Sequence, residues 1–166
     1  MNGKKIIFGF TMVTLLILGG GVYILSSSST YPQITSSLNA KVSAESKTYD
    51  WGNIAYSGGD VSKTFIIKNT GTETLKLTNI KTSCTCTKAQ IDVDGKVSPY
   101  FSMHSQSSWV GEVSPGKEAK LNVIFDPVFH GPSGIGPIER LISIQTNDIN
   151  NPNLEFSLKG IVIKDK

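Results

Sequence analysis

The chain has little of most residue types that build catalytic centres. Among 166 residues there are two cysteines and two histidines, and charged residues make up 17%. Lys and Arg form no long run and the net charge is only +3, which excludes a nucleic-acid partner argued from charge. No Gly-x-Ser-x-Gly elbow is present, so the sequence shows no hydrolase-type nucleophile turn. The glycine-rich stretch Gly131-Pro132-Ser133-Gly134-Ile135-Gly136 lacks the Gly-Lys-Ser/Thr ending of a phosphate loop. Acidic residues are scattered, and no pair is placed for acid–base work. There is no internal repeat, and no window beyond residue 48 repeats its apolar residues at a helical period. These absences point away from an enzyme.

What is present begins with Lys4 and Lys5, followed by an uncharged run from Ile6 to Leu25. Roughly 20 apolar residues are the length that spans a bilayer as a helix. Lysines on the N-terminal flank predict that this end stays in the cytoplasm. A cleaved signal peptide is the competing reading, but its apolar region is usually about 7–15 residues long and ends near a small-x-small site. Here Tyr23-Ile24-Leu25 runs directly into Ser26 to Ser29, and no cysteine lies near for a lipid attachment. The expected organisation is a membrane anchor over 1–25, a flexible Ser/Thr-rich tether over 26–48, and one domain over 49–166, outside the cytoplasm.

The domain reads as short strands. Val61, Lys63, Phe65 and Ile67 fall on one face of a strand and Ser62, Thr64, Ile66 and Lys68 on the other. Asn69-Thr70-Gly71-Thr72 is a turn signal, in which Gly71 can take positive φ. Leu75 and Leu77 open the next strand, which runs towards Cys84. Ala119, Leu121, Val123 and Phe125 alternate behind the Pro115-Gly116 turn, and Asp126-Pro127 ends that strand. Leu141 to Thr146 and Leu154 to Lys159 complete the pattern. Turn-separated strands of this kind predict an all-β, immunoglobulin-like antiparallel sandwich behind one N-terminal transmembrane helix. Phe65, Leu77, Leu121, Phe125 and Phe156 are the expected core. Two irregular stretches, 92–112 and 129–139, interrupt the rhythm.

The ordered set Tyr49-Asp50-Trp51-Gly52, Phe65 to Gly71, Leu75-Lys76-Leu77, Ser83-Cys84-Thr85-Cys86-Thr87, Pro115-Gly116, Phe125-Asp126, Thr146-Asn147-Asp148 and Gly160 resembles a bacterial family of domains of unknown function. That family is similar to Hydin-type and major-sperm-protein-type immunoglobulin-like domains. The resemblance covers about Tyr49 to Val162. It implies an immunoglobulin-like sandwich outside the cytoplasm and brings no established activity. The usual member has glycine between the cysteines, where this chain has Thr85.

Both cysteines sit at spacing i, i+2. If Thr85 is extended, their sulfurs share a face. Such a pair can bind a soft metal or form a disulfide, or it can pack as two small hydrophobes. The histidines, His104 beside Met103 and His130 after Phe129, lie in the two irregular stretches. Thiolate, imidazole and thioether suit copper or zinc, so Cys84, Cys86, His104, His130 and Met103 are the candidate ligands. The function expected first is a non-enzymatic binding or assembly module with a protein partner, held at the membrane. The alternative is soft-metal binding or thiol redox at those residues.

Overall fold

A computed structural model of the chain describes residues 3–26 and 32–164; side chains at 5, 6 and 21–26 lie outside that description. The chain divides into two compact units, Met1–Thr30 and Tyr31–Lys166.

The first unit is helix α1 (Gly3–Ser26). Its Thr11 and Thr14 hydroxyls donate to the carbonyls of Ile7 and Phe10, at 2.6 and 2.9 Å, which hides two polar groups within an apolar run. Among the described residues no helix is long and apolar enough to cross a membrane. Several positions of the expected span, Ile6 and residues 21–25, lie outside the described side chains.

The second unit is built from alternating strands. One sheet has the order β1 (Val42–Ala44), β3 (Val61–Asn69), β8 (Glu118–Phe125), β5 (Thr87–Val93), β6 (Lys96–Val97). The other has the order β2 (Thr48–Ala55), β10 (Asn153–Ile163), β9 (Gly136–Thr146), β4 (Leu75–Thr82), β7 (Gly111–Val113). Inward positions of both sheets meet in a main core and in a smaller cluster around Phe125. Phe65, Leu77, Leu121, Phe125 and Phe156 are all buried, and Phe65 packs on Phe156 with ring centroids 4.8 Å apart. This two-layer packing is what period-2 alternation with one apolar face demands.

Three expectations are corrected. First, the sandwich is not wholly antiparallel: β2 pairs with β10 in parallel. The N-terminal chain crosses from one sheet to the other between β1 and β2, and so arrives alongside the last strand in its own direction. Second, the folded unit starts well before residue 49. Ser37 bridges to Asp148, β1 pairs with β3, and Ala40 is fully buried. Third, Gly71 does not take positive φ. A Cβ there would collide with the Asn39 carbonyl oxygen and stand 2.6 Å from Lys41 N, so the glycine is there for close approach. Of the expected tether, residues 27–31 lie outside the described residues.

The segment 37–42 is held by polar contacts. Asn39 O accepts from Thr72 N and Lys41 O from Thr70 N, each at 2.8 Å. The Glu73 carboxylate accepts from Ser37 Oγ at 2.6 Å and Asn39 Nδ2 at 3.1 Å, and these bonds hold its pKa below the ordinary value. Asp148 is 2% exposed. Burial alone would push its carboxyl up. Hydrogen bonds from Val42 N, from Asn151 and from Asn150 N outweigh that and pull its pKa down.

Candidate functional site

The two cysteines sit where the chain passes from one sheet to the other. β4 belongs to one layer and β5 to its partner, and residues 83–86 form the bend and turn between them. A turn, not an extended strand, therefore brings the sulfurs together. Thr87 N donates to Cys84 O at 3.2 Å, and the Thr82 hydroxyl donates to the same carbonyl at 2.7 Å. Those bonds occupy the main-chain groups that a crossover would otherwise leave unpaired. Cys84 and Cys86 are joined as a disulfide, with Cα atoms 5.3 Å apart.

Each sulfur has its own partner. His130, on the loop between β8 and β9, places Nε2 3.3 Å from Cys84 Sγ. Arg140, on β9, donates from Nε to Cys86 Sγ at 3.2 Å. Cys84 is half-buried, whereas Cys86 is only 2% exposed. The loop that carries His130 is shaped by Pro132, which starts a 3-10 turn, Gly131–Gly134. Ser133 Oγ donates back to His130 O at 2.7 Å and fixes that turn.

Arg140 is held from beneath. Its guanidinium lies 5.3 Å from the centre of the Phe125 ring, and Phe125 stacks in turn on Trp51 at 5.9 Å. Partial burial lowers the Arg140 pKa from its usual value, yet a guanidinium stays charged. The result is a column of Trp51, Phe125, Arg140 and Cys86 that fixes a cation against one sulfur. Beside it, Asp60, Thr85, Cys86, Lys88 and Phe129 border a cavity of about 160 Å³. Small-molecule sites usually offer about 300–1,000 Å³, so this one admits waters or a single side chain rather than a substrate.

Of the five candidate ligands, the structure gathers three. Cys84, Cys86 and His130 place their ligand atoms within 4.8 Å of one another. His104 is outside that group, and Met103 beside it is exposed in the same loop. A metal would need both sulfurs as thiolates, which the disulfide precludes until it is reduced. Arg140 is the residue that sequence reasoning missed. The signal was there: Arg140 has the same parity on β9 as Ile138, Ile142 and Ile144, so it faces the interior among apolar neighbours.

The two packed sheets define a class: an immunoglobulin-like β-sandwich. Residues 42–99 match the model of a family described as protein of unknown function, DUF1573. The matched segment, about a third of the chain, holds both cysteines and agrees with the resemblance of the motifs. A crystal structure of a protein of unknown function from Porphyromonas gingivalis W83 is similar, with a TM-score of 0.59 and 22% identity over 78% of this chain. This chain spans half of that one. A PapD-like domain of human CEP192 is similar at a TM-score of 0.50 and 16% identity, covering 81% of this chain and 94% of that domain. At such identities the likeness is one of fold. No curated protein matches the chain.

Proposed function

We propose that the chain is a non-enzymatic binding or assembly module, presented outside the cytoplasm by its N-terminal helix, that engages a protein partner with the β8–β9 end of the sandwich. The observation that carries this is a cluster of exposed apolar side chains on that loop: Val128, Phe129 and Ile135 are 46%, 51% and 39% exposed. Large apolar groups gathered on one loop mark a contact surface better than scattered ones do. Sheet edges are poorer candidates. β1, β6 and β7 have three, two and three residues. The longer edge strand β2 is interrupted at Gly52, where φ is 65° and the N–H is taken by Asp50 Oδ1 at 2.7 Å. Such a bulge discourages a strand from adding alongside.

Membrane attachment is supported by the length of the Ile6–Leu25 run and by Lys4 and Lys5 before it. A disulfide fits the oxidising side of a membrane. The test is site-specific photocrosslinking in cells. A photoreactive residue in place of Phe129 should give one discrete protein adduct, and the same residue at exposed Glu155 on β10 should give none. Equal adducts at both positions, or none at Phe129, would remove this surface as the binding end.

A further inference from the structure

We propose that Cys84–Cys86 is a reversible redox couple that exchanges with thiols, with Cys84 as the sulfur attacked and Cys86 as the leaving sulfur. This goes beyond binding, because it assigns a chemical step to the site. Its basis is the asymmetry of the two sulfurs. Cys84 is half-exposed at the loop surface, while Cys86 is buried under the Arg140 guanidinium. Thiol–disulfide exchange goes fastest when the attacked sulfur is accessible and the departing one is stabilised as a thiolate. Here access and stabilisation fall on different atoms, in the order the reaction needs.

The step balances as follows. An incoming thiolate attacks Cys84 Sγ, the Cys84–Cys86 bond breaks, and its electron pair goes to Cys86 Sγ. The Arg140 Nε–H, already aimed at that sulfur from 3.2 Å, donates to the new anion. A second thiol attacks the mixed disulfide and releases the Cys84 thiolate beside His130 Nε2. Two thiols are oxidised to one disulfide, and the Cys84–Cys86 bond is reduced to two thiols. The reverse reaction, with a disulfide as oxidant, restores the bond. Arg140 touches the leaving sulfur directly in this scheme, and Phe125 and Trp51 are the positioning residues that hold it in place.

A soft metal on the reduced pair is the competing occupant, since Cys84, Cys86 and His130 are close enough to ligate one ion. The guanidinium argues against it. A fixed positive charge in hydrogen-bond contact with a ligand sulfur opposes the arrival of a cation.

The experiment uses the full-length chain in detergent, equilibrated with reduced and oxidised glutathione and then alkylated and weighed. The folded protein should gain two alkyl groups together as the reduced fraction rises. Cys86→Ser should trap one glutathione on Cys84, and Cys84→Ser should trap little, because Cys86 is buried. Arg140→Gln should slow reduction by glutathione about tenfold, with Arg140→Lys between it and the parent. Thermal midpoints of the oxidised variants separate a lost charge from a lost fold. The proposal would be overturned by thiols that appear only on unfolding, by equal glutathione capture by both serine variants, or by a folded Arg140→Gln protein that reduces as fast as the parent. A reduced chain that keeps one zinc through dialysis and then resists oxidised glutathione would overturn it too.

Discussion

At the scale of single residues, the core is held by fully buried apolar side chains. Phe125 underlies Arg140 and closes the smaller apolar cluster with Cys86, Ile54 and Val162. Phe125→Ala should cost about 3–5 kcal/mol, read by urea denaturation, because it leaves a cavity at the sheet-to-sheet crossover. Unaltered stability would mean that the ring does not fill that space. Gly71→Ala tests a different contact. Its methyl group would meet backbone at residues 39–41, so a loss of about 1–3 kcal/mol is expected in the same assay. Phe65, Phe125 and Phe156 were legible in the sequence because each falls on the apolar parity of an alternating run; Phe101, buried from the irregular stretch, was not. Arg140 was not, since a cation on an alternating strand reads as a solvent-facing residue until its parity is compared with Ile138 and Ile142. The proximity of His130 to Cys84 was open to conjecture alone: it depends on how the 3-10 turn at Pro132 folds the loop back, and no local pattern encodes that.

At the scale of elements, the segment before β2 is the main departure from what composition suggests. Serines and asparagines there look like a linker, and no hydrophobic period marks them. Their hydrogen bonds go to residues far along the chain, as from Val42 to Asp148 across 106 positions. Short-range patterns carry no trace of such pairing. A chain beginning at residue 32 should therefore be more stable to heat than one beginning at residue 49, which lacks β1 and the buried Ala40. Equal thermal midpoints would show that the segment contributes nothing. Acid should release the same segment. The pKa values of Asp148 and Glu73 are both depressed in the folded protein. Each carboxylate thus adds stability that is complete above its unfolded pKa and is lost as pH falls through its folded one. Thermal midpoints should fall as pH drops below the ordinary carboxylate range, and Asp148→Asn should make that fall shallower. An unchanged slope in the variant would show that Asp148 is not the group responsible.

At the scale of the whole molecule, the proposed attachment to a membrane is tested at the helix. The full-length chain should stay with membranes washed in alkaline carbonate; recovery of a soluble form starting near Ser26 would favour a removed signal instead. The parallel pairing of β2 with β10 has a consequence of another kind. Synthesis delivers β2 among the first strands of the sandwich and β10 after the others, so β2 has no partner in its sheet until residues 153–163 have been made. Contacts this distant in sequence must await the closure of a long loop, and they slow folding more than they affect stability. The growing chain therefore carries β2 unpaired while the other strands emerge, and a ribosome that stops short of residue 153 releases a sandwich with that place in the sheet still vacant. Premature termination should yield chains that are cleared by proteolysis rather than slightly shortened domains that work.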